Sequence, residues 1–262
     1  VALDEGRRAG ASDVSSNVGR HAVITIPTVL VLGAGASYPY GFPTGKGLKD
    51  LICDAFSSTE AIATQMLSCL NPEGTRFAPD EFFQFREAFL KSGQPSVDAF
   101  LERRPNFLGV GKLAIAFCLM RFENEQNLYY PDPSRGGNWY EYLSVKLNSS
   151  FEEFGQNKLS IVTFNYDRSL EHYLLNSLMN LYGKGRDECA NVLGQIPIVH
   201  VYGQLGERLY PQHGAQMYRP DLIEIPRYVE TAAAGIKLYH EEAEEASTKA
   251  RTLLRTAKRI GF

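Results

Sequence analysis

The sequence predicts an α/β protein built around a parallel sheet, and three observations carry that reading. An apolar run over residues 22–32 feeds directly into Gly33-Ala34-Gly35-Ala36-Ser37 and then into a helical pattern, which is how a βαβ unit opens. Two later apolar runs, residues 159–167 and 196–203, end in polar residues or a glycine turn. Helical patterns lie between these runs, and strands separated by helices pair in parallel.

Composition bounds what such a protein does. The chain of 262 residues is 44% hydrophobic and 22% charged, enough for one sizeable core or one core with a helical annex. A formal charge of -3 and a pI near 6.0 supply no overall attraction to nucleic acid, so none is expected as a direct ligand. Cys53, Cys69, Cys118 and Cys189 are widely spaced with no C-x-x-C pair. They read as reduced core residues of a cytoplasmic protein, and they argue against a structural zinc site, so no metal is expected. No apolar run approaches the ~18 residues of a membrane span, and the polar start has no signal-peptide core. Residues 1–21 read as a flexible tail ahead of one domain over residues 22–262.

In chain order, the first strand has Pro27 near its start, where a residue without a backbone donor marks a bend or bulge. Gly33 turns the chain, and Thr44 is the expected N-cap of a helix carrying Leu48, Leu51, Ile52 and Phe56 at helical spacing. Residues 58–155 lack convincing strands. There "PDEFFQFREAFLKSG", "SVDAFLERRPN", "FLGVGKLAIAFCLMRFENE" and "WYEYLSVKLNSSFEEF" carry i, i+3, i+4 apolar spacing and read as a helical insertion of four or more helices. The strand over 159–167 leads into a helix, "RSLEHYLLNSLMNLYG", and the strand over 196–203 follows. The last segment, "HEEAEEASTKARTLLRTAKRIGF", is a helix with acids early and bases late, as the macrodipole favours, running into an incipient strand at "RIGF". A domain that stops on the first residues of a strand reads as incomplete.

The glycine turn fits neither common phosphate loop. A G-x-G-x-x-G fingerprint needs glycine at position 38, where Tyr38 stands, and an acid about twenty residues on at the end of a second strand, where helix is expected. A Walker loop needs G-x-x-x-x-G-K-[ST], but Gly45-Lys46 is followed by Gly47. What remains is a small-residue turn whose backbone and Ser37 hydroxyl suit close approach of a pyrophosphate, or a tight turn without ligand. The second block, "VTFNYDRSLE", sets Asn165 and Asp167 just after a buried strand, at the edge where doubly wound sheets bind ligands. An Asx turn at Asn165 and a helix cap at Asp167 are the local alternative. The third block, "IVHVYGQLG", sets His200 and Tyr202 on one strand face, about 6–7 Å apart along it, with a purely structural histidine as the alternative.

Together the blocks resemble the sirtuin-like NAD-consuming domains, in particular the bacterial branch used in anti-phage defence. The likeness lies in Gly33-Ala34-Gly35-Ala36-Ser37 with Gly41-x-Pro43-Thr44, in Thr163-Phe164-Asn165-Tyr166-Asp167, and in the strand ending at Gly203. "SVDAFLERR", residues 96–104, is similar to part of that family's helical insertion. The resemblance implies a Rossmann-like parallel sheet flanked by helices, with NAD lying across the strand ends as a substrate and a helical module closing over it. It implies that Asn165 orients the nicotinamide ribose and the attacking water, and that a histidine, by position His200, is the base. NAD would be bound by the turn Gly33, Ala34, Gly35, Ala36 and Ser37, by Pro43 and Thr44, and by Thr163, Asp167 and Tyr202.

Two departures from the family shape the expectation. The zinc module with paired cysteines is missing, which disfavours a protein deacylase and favours hydrolysis of NAD to nicotinamide and ADP-ribose, or a related cyclisation. Tyr202 stands where the family has its histidine, so His200 takes over two residues earlier, or the base is altered or absent. The resemblance further implies a homo-oligomer and a sensor partner, a DNA-translocating ATPase or an Argonaute-type protein, that switches on NAD depletion. The rival expectations are a sensor that binds NAD or ADP-ribose without cleaving it, and a protein deacylase or ADP-ribosyltransferase.

Overall fold

The computed structural model describes residues 24–57, 77, 79–206, 218–219, 221, 226–238 and 244–262. The expected tail, the start of the first expected strand, Cys69 and the opening of the helical insertion lie outside the described residues.

Four short strands, β1 (Thr28–Leu32), β2 (Leu159–Thr163), β3 (Ile198–His200) and β4 (Arg259–Gly261), form an all-parallel sheet in the order β3-β2-β1-β4. The strand at "RIGF" is therefore present, pairing with β1. The first three strands are shorter than the apolar runs, for local reasons. β1 begins only after Pro27, which has no amide to donate; its carbonyl instead accepts from the amides of Lys258 and Arg259. β2 ends at Thr163, whose hydroxyl takes the amide of Asn165 at 3.1 Å, so the local turn belongs to Thr163 and not to Asn165. β3 ends at His200, and Gly203 then adopts φ +69 with the Gly235 carbonyl so close that a Cβ would stand 2.1 Å from it. Tyr202 thus lies outside any strand, which corrects the expectation that it shares a strand face with His200.

The expected glycine turn is helical: α1 (Ala34–Ser37) is a single turn continued by a 3-10 turn over Tyr38–Tyr40. The helix α2 (Gly45–Ala55) starts at the expected cap, with the Gly47 amide donating to Thr44 Oγ1 at 3.4 Å. The described chain between β1 and β2 continues through α3 (Pro79–Lys91), α4 (Val97–Arg103), α5 (Leu108–Met120), α6 (Glu125–Tyr129) and α7 (Trp139–Leu147). After β2 come α8 (Ser169–Tyr182) and α9 (Arg186–Leu193), and after β3 come α10 (Pro226–Gly235) and α11 (Glu244–Thr256).

Alternation along the strands sorts the core into two faces. Leu30, Leu159, Ile161 and Ile198 join a large cluster shared with α2 to α10, whereas Val29, Val162 and Val199 pack against Ala250 and Leu253 of α11. The helices between β1 and β2 therefore belong to the same apolar cluster as the sheet. At its centre α5 is buried all round, not one-sided as its spacing suggests, because α2, α3, α4 and α10 all pack on it. Cys53, Cys118 and Cys189 are buried free thiols. The result is a mixed α/β structure with helices on the sheet, compatible with a Rossmann-like fold. Among the described residues no helix is long and apolar enough to cross a membrane.

Candidate active site

The sheet register fixes where the three sequence blocks meet. Leu32 is level with Thr163 and Thr163 with His200, so the chain leaves β1, β2 and β3 at one common C-terminal edge. Parallel sheets leave room for ligands at that edge, because the crossover connections turn away there. The blocks are then stitched together by backbone bonds: Phe164 N donates to Leu32 O, Val201 N to Thr163 O, and Leu205 N to Tyr166 O. The Tyr166 hydroxyl donates to Asp98 of α4, tying the "SVDAFLERR" segment to the second block.

Asn165 stands at the crossing point. Its side-chain amide donates to Gly33 O at 2.9 Å and to Ser37 Oγ at 3.0 Å, and its backbone carbonyl accepts from His200 Nδ1 at 2.8 Å. Ser37 Oγ in turn donates to Asp167 Oδ2 at 2.7 Å, so the hydroxyl expected to serve a pyrophosphate is already spent inside the protein. The other Asp167 oxygen accepts from the Ser169 hydroxyl and, at 3.2 Å, from the Ser169 amide; α8 begins at Ser169 after Arg168 with no side-chain cap, so Asp167 closes an Asx turn ahead of the helix and is not the expected cap. Burial pushes the Asp167 carboxyl above its usual range, and the serine donors only partly oppose this.

His200 and Glu171 form the charged element of the site. His200 Nε2 lies 2.5 Å from Glu171 Oε1, with both side chains largely buried. Burial disfavours charge on the His200 ring, but the Glu171 carboxylate and the Asn165 carbonyl outweigh it and raise the pKa above the usual imidazole value. Burial likewise acts to raise the Glu171 carboxyl, and the facing His200 overrides it, leaving the group below its usual value. Beneath them Arg168, adjacent to Asp167, makes a two-pronged buried pair with Glu123 at 2.9 and 2.6 Å.

Leu32 and Thr163 from the strand ends, Ala36 from α1 and Ile198 from the start of β3, with Tyr140 from α7 and Leu170 from α8, complete the lining around Ser37, Asn165, Asp167, Glu171 and His200. They close around about 10 Å³ of space open to the centre of a water, roughly one water's worth. The α7 side is anchored by Trp139 Nε1 donating to Ala36 O at 2.7 Å and by Tyr140 stacking on Tyr40.

Of the residues expected from the sequence, Ala36, Ser37, Thr163, Asn165, Asp167 and His200 line this cavity. Gly33, Ala34 and Gly35 sit beside it on α1 and the turn before it. A Cβ at Gly33 or Gly35 would meet nothing within 4 Å, and neither has a positive φ, so packing does not require glycine there. Pro43 and Thr44 are at the start of α2 and do not line the cavity, nor does Tyr202, whose ring packs against Phe164 at 5.7 Å. Besides the apolar Leu32, Leu170 and Ile198, the lining residues that motif reasoning passed over are Glu171 and Tyr140. Glu171 follows Asp167 by four residues, which in helical spacing puts both on one side, a cue present in the sequence. No group of metal-ligating side chains occurs among the described residues. In comparison with known proteins, the chain matches no family model, no curated protein and no solved structure.

Proposed function

We propose that this chain is an NAD glycohydrolase, cleaving NAD to nicotinamide and ADP-ribose at the strand-end pocket. The observation that carries the reading is convergence: Gly33 and Ser37, Asn165 and Asp167, and His200 are distant in sequence and belong to one hydrogen-bonded network. These are the blocks whose likeness to sirtuin-like NAD-consuming domains implies this chemistry. Gly33 and Gly35, glycines without a packing reason, support close approach of a ligand to that backbone.

The chemistry asks for three things: ribose hydroxyls held in place, stabilisation of positive charge as the glycosidic bond breaks, and a water delivered with a base to take its proton. Asn165 supplies a fixed amide for orientation, Glu171, held below its usual pKa, supplies negative charge, and the resemblance gives the base role to His200. The narrow cavity means that NAD binding requires the lining to open, which accords with an effector switched on by a partner or by assembly. In this reading the helices between β1 and β2 form the module over the substrate. The protein works in the cytoplasm as a homo-oligomer with a sensor partner of the ATPase or Argonaute type, depleting NAD in anti-phage defence.

A second reading is a sensor that binds NAD or ADP-ribose without cleaving it. Two observations favour it: both His200 nitrogens are already engaged, and Tyr202, which replaces the family's histidine, is outside the pocket. Incubating the full chain with NAD, alone and at concentrations that drive assembly, followed by separation of products, tests the proposal. Nicotinamide with ADP-ribose is the expected outcome. Saturable NAD binding with no product under every condition supports the sensor.

A further inference from the structure

We infer that Glu171, rather than His200, is the proton acceptor of the pocket, and that His200 acts through it as the donor that aims and holds its carboxylate. The inference rests on the reading of the pocket as an NAD-cleaving site.

His200 faces an oxygen at each ring nitrogen: the Asn165 carbonyl at Nδ1, 2.8 Å away, and Glu171 Oε1 at Nε2, 2.5 Å away. A backbone carbonyl has no proton to give, so Nδ1 carries one. An ionised carboxylate has none either, so Nε2 carries the other, and the short separation is that of a charge-assisted bond. A ring that donates at both nitrogens has no lone pair left with which to take a proton. The Glu171 carboxylate lines the same cavity as Asn165, and a carboxylate presents about four lone-pair sites over its two oxygens.

The neighbouring groups leave the role to Glu171. Asp167 accepts from serine hydroxyls at both oxygens, and burial shifts its carboxyl upward. Arg168 lies near Glu171 and adds positive charge, while its own partner is Glu123. Tyr140, from α7, is buried and its hydroxyl is held protonated well above the usual range. Glu171 on α8, facing His200 on β3, is thus the lining carboxylate kept ionised at neutral pH.

The water oxygen forms a bond to C1′ of the nicotinamide ribose, and the C1′–N bond breaks with its electron pair passing to the pyridinium ring. Neutral nicotinamide leaves, and the water's proton goes to Glu171.

The test is kcat and KM for NAD across pH, in the full chain, for the parent, Glu171→Gln and His200→Gln. With Glu171 as acceptor, the acid limb of kcat in the parent lies below the ordinary carboxyl value of 4.5. Glu171→Gln then lowers kcat by about 10²-fold or more with KM little changed. His200→Gln retains more activity and moves the acid limb up by about one pH unit or more, because the carboxylate loses its cation. An acid limb in the parent above the ordinary imidazole value of 6.5, abolished in His200→Gln, makes His200 the base and overturns the inference. A second readout is independent of turnover: NMR titration of the His200 ring. Protonation persisting above 6.5 in the parent, and falling by about one unit or more in Glu171→Gln, is expected. An identical titration in both overturns the pairing. Absence of any NAD cleavage by the parent defeats the NAD reading, and the titration still decides the pair.

Discussion

Two regions of this molecule bury side chains in opposite ways. Around α2 to α5, Phe56, Phe82, Phe85, Phe89, Phe100 and Phe107 pack with ring centroids 5.1–6.3 Å apart, nearly all out of water. At the strand ends Ser37, Asp167, Arg168, Ser169 and Glu123 are as deeply buried, with Asn165, Glu171 and His200 bonded above them. The first arrangement stabilises the fold at roughly 25 cal/mol per Å² of apolar surface removed from water. The second takes charge and hydrogen-bonding groups out of water, which costs free energy that the internal bonds only offset. A fold that needed nothing but a core would fill that edge with apolar side chains. The contrast teaches that the aromatic cluster explains why the chain folds, and that the polar edge needs an explanation from function.

Substitutions sharpen the contrast. The largest stability losses belong to the deep interior. Phe85→Ala removes a fully buried ring and lowers unfolding free energy by about 3–5 kcal/mol in denaturant titrations. Glu123→Ala removes the buried carboxylate that pairs with the Arg168 guanidinium and costs a similar amount, about 3–5 kcal/mol. A loss below about 1 kcal/mol for either places the weight of the fold elsewhere.

The next effect is a pH dependence. His200 has a raised pKa when folded, so its contribution is complete below the unfolded value of 6.5 and is lost as pH rises through the raised value. Glu171 has a lowered pKa, so its contribution is complete above 4.5 and is lost as pH falls through the lowered value. The pair stabilises most between these limits. Unfolding curves on either side of pH 6.5 are expected to show a stability drop in the parent that is absent in His200→Gln. Equal pH dependence in both chains breaks the ion-pair account.

The smallest effect on folding separates the regions most sharply in kind. Gly35 lies within α1 with open space where a Cβ would go. Gly35→Ala is expected to leave stability unchanged or to raise it by about 0.5–1 kcal/mol, while NAD turnover below saturation drops about tenfold or more. Unchanged turnover removes close backbone approach from the account.

Much of this contrast was legible in the sequence, and the limits are physical. Thr44 could be read as a cap because a cap is a local pattern, and so could most helices, whose spacing is local too. Asn165, Asp167 and His200 could be read as edge residues because each follows a buried run. The strand ends could not, since β2 stops on a bond from its own Thr163 hydroxyl and β3 near an approach between Gly203 and Gly235. Pro43 and Thr44 do not line the cavity. The turn after β1 is helical, and α1 with the 3-10 turn intervenes before they reach α2. The Glu171–His200 pair joins residues 29 positions apart and depends on β3 lying beside β2, a strand order that no local pattern encodes.

Asn165 is the sharpest probe of the proposal that the strand-end network serves NAD cleavage. Its side chain makes two hydrogen bonds, each worth about 0.5–1.5 kcal/mol net, so Asn165→Ala remains folded. Nicotinamide release from NAD by the parent and by Asn165→Ala, compared at equal folded concentration, is the decisive measurement. Steady release by the parent is expected, with a rate lower by about 10²-fold or more in the variant, on the scale of losing a positioned polar catalytic group. Equal rates in the two chains would contradict it.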